Sequence, residues 1–138
     1  MDARMWGVVI AAAALACAPP KDRPDSESLQ QGRMYTSWLY GSQYNKLWDR
    51  FSPEMRQTFG TVGDLASFAG RALKSLGTER QVVDERVEKA EPYRVYTRNA
   101  SFNKAIHPML IEWSLAKDGA VTGLVVRPAL ADSGNSKR

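Results

Sequence analysis

Residues able to do acid–base, nucleophilic or metal chemistry are few in this chain. There is one histidine, His107, and one cysteine, Cys17. Any Ser-His or Cys-His catalysis would have to run through His107, yet it stands just before Pro108 in a connection between two strands, where a solvated loop residue is the ordinary case. Metal ligation needs several His, Cys, Asp or Glu side chains brought together, and no such clustering is visible, so neither a metal nor a cofactor is expected. The acids Asp49, Glu85 and Glu112 could each serve as a general base beside a tyrosine or His107. Each also reads as a surface ion-pair partner.

Cys17 gains meaning from what precedes it. Met1–Ala16 has a short start with one Arg and then the apolar run Trp6–Leu15, too short for a membrane span of about twenty residues and typical of a secretory signal. Ala14-Leu15-Ala16-Cys17 fits the small-x-small rule of general signal peptidase, with cleavage after Ala16. It also resembles a bacterial lipobox, although lipoboxes favour Leu where Ala14 stands. That resemblance implies acylation of Cys17, a membrane partner reached through the acyl chains, and residence in the extracytoplasmic cell envelope, at the outer membrane if the organism has one. The next residues, Ala18-Pro19-Pro20-Lys21-Asp22-Arg23-Pro24-Asp25, read as an extended proline-rich tether over 17–25.

The remaining chain has room for a single domain over 26–129, followed by a polar, disordered tail over 130–138. The chain holds 43% apolar and 25% charged residues, ordinary for a globular protein. Its net charge of +4 is spread along the sequence, with no basic stripe interleaved with aromatics, so no nucleic-acid partner is expected. A lone cysteine allows no internal disulfide.

Four helices are predicted first. Ser26 caps one that ends before Gly41, with Met34, Tyr35, Trp38 and Leu39 as its stripe. Ser42 opens a second, where Tyr44, Leu47, Trp48 and Phe51 fall at i, i+3, i+4 and i+7. Ser52-Pro53-Glu54 starts a third, and Thr61 and Asp64 form a capping box for a fourth that stops at Gly77. Strands follow: a charged edge strand around Val82–Val87, a second over Tyr93–Phe102, and a hairpin from Met109 to Pro128. Asp118-Gly119 suits a type I′ turn, which would pair Leu115 with Thr122, Trp113 with Leu124 and Ile111 with Val126. Helices first and strands after give an α+β fold, with helices on one face of a curved four-stranded antiparallel sheet.

Leu39-Tyr40-Gly41, Leu47-Trp48, Phe51-Ser52-Pro53-Glu54-Met55, Val95-Tyr96-Thr97-Arg98 and Ile111-Glu112-Trp113-Ser114-Leu115 with Asp118-Gly119 resemble, over about Leu29–Pro128, a small bacterial domain of unknown function. That domain belongs to the cystatin-like, nuclear transport factor 2-like cone folds. It occurs alone in lipoproteins and ahead of serine hydrolases of the β-lactamase type. The resemblance implies a cone-shaped fold; the many rings of the chain read first as packing between helices and sheet, and in the alternative as the lining of a pocket at the open end of the cone. Trp38, Tyr44, Trp48, Ile111 and Trp113 are the candidate lining, suited to a hydrophobic small molecule. The expected role is a binding or interaction module for such a ligand or for an envelope protein. The alternatives are a small cone-fold isomerase or dehydratase, or an accessory domain to a separately encoded serine hydrolase.

Overall fold

The structure, a computed structural model, describes residues 23–129. The leader, Ala16, Cys17, most of the tether and the tail lie outside the described residues. Four helices, α1 (Arg23–Tyr40), α2 (Tyr44–Arg50), α3 (Pro53–Phe59) and α4 (Val62–Leu76), precede four strands, β1 (Glu79–Ala90), β2 (Tyr93–Phe102), β3 (Met109–Leu115) and β4 (Val121–Pro128). The strands form one antiparallel sheet in the order β1-β2-β3-β4. The class is α+β, and the core lies between the helices and one sheet face.

The local signals for α3 and α4 operate as expected. Ser52 Oγ accepts from the Met55 amide at 3.1 Å, with Pro53 at the first helical position. Thr61 and Asp64 exchange side-chain bonds with each other's amides, and Gly77, at φ 82°, ends α4. The first two helices differ from expectation. The first begins at Arg23 rather than behind Ser26, so Arg23–Asp25 belong to the domain and not to the tether. Ser42 takes a left-handed φ of 59°, and α2 starts two residues later.

The buried stripe of α1 also differs. Ser28, Gly32, Tyr35, Thr36 and Leu39 face the sheet, Trp38 is half-buried, and Met34 is exposed. The reason is the size of what lies opposite. Tyr96 sits so close that a Cβ on Gly32 would overlap its ring. Trp113 donates its indole N–H to Thr36 Oγ1 at 3.0 Å. Small helix residues make room for large strand residues.

The hairpin register holds from Met109↔Pro128 to Ser114↔Gly123, with Trp113 opposite Leu124. Near the turn it shifts. Leu115 pairs with Val121, not Thr122, because Thr122 is bulged and its hydroxyl donates to the Ser114 carbonyl at 3.1 Å. The turn is not type I′, since only Gly119 has positive φ. The Gly119 amide bonds Ala116 O and the Ala116 amide bonds Ala120 O, both at 2.9 Å, a type I turn followed by a left-handed residue. The bulge places Val121 beside Leu115, and both are fully buried.

Candidate functional site

Directly opposed residues on neighbouring strands share a face. The pairing of β2 with β3 sets Tyr96 opposite Trp113 and Arg98 opposite Ile111, so Tyr96 and Arg98 face the helices. On β1, their partners Val87 and Glu85 face the same way, as do Val82, opposite Ala100, and Glu79, opposite Phe102. Two irregularities in β1, between Glu79 and Gln81 and between Val82 and Asp84, stretch the spacing. Plain alternation therefore fails: Val82 turns towards α1 and Val83 is left 56% exposed.

These residues meet α1 in a charged cleft of about 470 Å³ lined by Arg33, Tyr40, Glu79, Val82, Glu85 and Arg98, among others. Arg98 holds Glu79 at 3.0 Å and reaches Glu85 at 3.5 Å. Its Nη1 donates to the Tyr96 hydroxyl at 3.0 Å, which in turn donates to Glu85 Oε2 at 2.6 Å. Arg33 grips both oxygens of Glu85 through Nε at 3.0 and 3.2 Å. The Tyr40 hydroxyl is buried beside Glu79 and Arg98 without meeting a hydrogen-bond partner. Two guanidinium groups balance two carboxylates.

The electrostatics follow from that arrangement. Hydrogen bonds from Arg33 are the main reason the Glu85 carboxyl is held below its ordinary value, against the opposing effect of burial. Burial, then the bond to Glu85, pushes the Tyr96 hydroxyl up to about 12. Burial likewise raises Tyr40, assisted by the Glu79 charge. Burial disfavours the Arg98 charge, but its bonds to Tyr96 and Glu79 outweigh that and strengthen its hold on the proton. An acid and a hydroxyl lie in contact, but their affinities are driven apart, away from neutral pH. A carboxylate so tied is a weak base and a hydroxyl so raised a weak acid.

The acids and histidine singled out in the sequence separate. Asp49 is exposed on α2, and His107 is exposed between β2 and β3. Glu112 is on the opposite sheet face, paired with Arg127 at 3.2 Å. Glu85 alone of the three acids joins a tyrosine. Among the described residues, no group of three or more His, Cys, Asp or Glu could hold a metal ion, and no helix is long and apolar enough to cross a membrane.

The aromatic candidates take other places. Trp113 and Ile111 are 0% and 1% exposed, spent in the core rather than on a ligand surface. The Trp113 ring lies 5.7 Å from Tyr35, and Tyr35 lies 5.7 Å from Trp38. Trp48 packs on Phe51 at 5.8 Å, and Lys46 and Arg56 cover the Trp38 and Trp48 rings. Tyr44 is half-buried, its hydroxyl accepting from Ser42 Oγ at 3.3 Å. Packing accounts for these rings, and the cleft beside α1 is built, Glu85 apart, from residues the sequence had not marked. The signal for it was faint: Arg94, Tyr96 and Arg98 alternate on a strand, long polar side chains on what becomes the covered face.

A second cleft, of about 430 Å³, lies where α1 meets the β1–β2 and β3–β4 turns, with Glu27, Gln31, Glu91, Arg94 and Lys117 in its wall. Its Arg94 is paired, bonding Asp25 at 3.1 Å and approaching Glu91 at 3.6 Å.

Compared with known proteins, the chain matches no family model, no curated protein and no solved structure.

Proposed function

We propose that the chain is a lipid-anchored, extracytoplasmic interaction module of the cone type, held to the envelope by acyl chains on Cys17 and binding a polar segment of another envelope protein in the cleft between α1 and β1. The observation that supports binding is the closed network of Arg33, Glu85, Tyr96, Arg98 and Glu79. Its groups are mutually neutralised and shifted away from neutral pH, which suits a shaped polar surface and disfavours proton transfer. Arg33, with 53% of its side chain exposed, is the group free to contact a partner at the rim. A hydrophobic small molecule fits less well, because the rings that would hold it are packed in the core or against one another. The resemblance makes a serine hydrolase of the envelope the first partner to try.

Two measurements test this. Mass analysis of the mature N-terminal peptide is expected to show Cys17 acylated, and an unmodified Cys17 removes the anchor. A photo-crosslinking residue at Ser37, exposed on the cleft wall, is expected to capture a defined envelope protein in cells, with at least a several-fold loss on Arg33→Glu. Capture unchanged by that substitution removes the cleft from the reading.

A further inference from the structure

β1 is an end strand of the sheet, so one side of its backbone is unpaired within the sheet. From Asp84 to Ala90 its pairing with β2 is regular, which makes that stretch a straight template for a further strand. Charged side chains normally guard such an edge, but a guard works only if like charges would meet.

Glu85-Arg86-Val87-Glu88-Lys89 carries the signs minus, plus, neutral, minus, plus. Reversed, the series is plus, minus, neutral, plus, minus. Each charge therefore meets its opposite when a second copy is laid antiparallel with Val87 on the two-fold axis. Arg86 then faces the partner's Glu88, and Glu85 faces the partner's Lys89, each pair occurring twice. An isologous interface requires this self-complementarity. Neighbouring registers lack it. An axis on Arg86 or on Glu88 sets that residue against its own copy, and an axis half a residue to either side opposes Glu85 to Glu88 or Arg86 to Lys89.

The faces agree as well. Val87 and Glu85 lie on the helix side of the sheet, opposite Tyr96 and Arg98, whereas Arg86 and Glu88 lie on the other side, opposite Thr97 and Val95. Arg86 already binds Asp84 and Glu88 within its own strand, both at 3.2 Å and both exposed. A second copy offers it the same kind of acid across the edge. The register also brings Val83, 56% exposed, to the partner's Glu91-Pro92 turn.

We propose that two copies of this chain pair through β1, antiparallel about Val87, to make one eight-stranded sheet with the helices of both copies on the same side. The Glu79 and Tyr40 end of the charged cleft remains open in this arrangement, and the inference does not depend on what that cleft binds.

Sedimentation velocity of the purified full chain, wild type and variants, is the test. Wild type is expected as a concentration-dependent dimer. Arg86→Glu sets Glu against Glu twice, and Glu88→Arg sets Arg against Arg twice. Each alone is expected to weaken the dimer at least tenfold, and circular dichroism should be unchanged because both residues lie on the uncovered sheet face. The double variant Arg86→Glu/Glu88→Arg is expected to dimerise again, and an equimolar mixture of the two single variants to form a heterodimer. A wild-type chain that stays monomeric at every concentration, leaving the edge to a different polypeptide, overturns the proposal. So does a dimer indifferent to both reversals, or a mixture that does not associate.

Discussion

One face of one sheet carries two different interiors. At the β3–β4 end, Ile111, Trp113, Leu115 and Val121 are at most 1% exposed. The two polar atoms there are satisfied: the Trp113 indole bonds Thr36, and the Tyr35 hydroxyl donates to Gly119 O at 2.6 Å. At the β1–β2 end the same layer is ionic, with Glu79, Glu85 and Arg98 side chains 12–19% exposed. The difference follows the cover. Of the helices, α1 packs on β1 and β2, while α3 meets β4, and Phe51 at the end of α2 bridges to Val121. The doubly covered end is dry and supplies stability through burial. The thinly covered end spends its attraction on desolvation and fixes geometry instead. It is at the second end that we propose a recognition surface.

The largest effect should come from the dry end. Trp113→Ala removes a fully buried ring and the bond its indole donates to Thr36, whose hydroxyl keeps its own bond to the Gly32 carbonyl, and a loss of about 3–5 kcal/mol in urea unfolding is expected. A loss under about 1 kcal/mol would erase the contrast between the two ends. Arg98→Ala leaves two carboxylates facing each other in a partly covered site. Its cost should fall between the surface and buried extremes, about 2 kcal/mol, while Arg33→Ala, at a half-exposed pair, should cost less than about 1 kcal/mol. Equal losses would mean that the cleft is uniformly wet.

The smallest effect is a pH dependence. The folded chain holds Glu85 below its ordinary value of 4.5, so the unfolded chain binds more protons there and stability falls as pH drops below 4.5. Tyr96, raised from 10 to about 12, contributes stability that is lost as pH climbs through that interval. Glu85→Gln should flatten the acid limb of the unfolding midpoint against pH. An unchanged acid limb would show that Glu85 is not tied in solution.

Elements announced by local chemistry were legible in the sequence. Ser52-Pro53, the Thr61–Asp64 box and Gly77 act within a few residues of themselves, and the alternation of Ile111, Trp113 and Leu115 states which face is buried. What depends on distant partners was not. Gly32 reads as a weak helix residue until Tyr96 is placed against it. Pro24 reads as tether, although proline is at home in a first helical turn. Asp118-Gly119 reads as type I′, but Asp118 keeps negative φ and the mismatch is taken up by the bulge at Thr122. The charged cleft was hidden for the same reason. Only the bulged pairing of β1 with β2 turns Glu79, Val82 and Glu85 to one side, and no period of two predicts a spacing of three.

The bonds that close the domain also set an order of events. Tyr35 and Gly119 are 84 residues apart, Thr36 and Trp113 are 77 apart, and Asp25 and Arg94 are 69 apart. The first helix thus waits for the last hairpin, and contacts of such long range slow folding. A chain emerging from the ribosome presents α1 before β1 and β2, which supply Glu85, Arg94 and Tyr96, and well before the hairpin, which supplies Trp113 and Gly119. Until the hairpin follows, α1 lacks the bonds of Tyr35 and Thr36, and a chain stopped short of β3 leaves the dry end of the interior unbuilt.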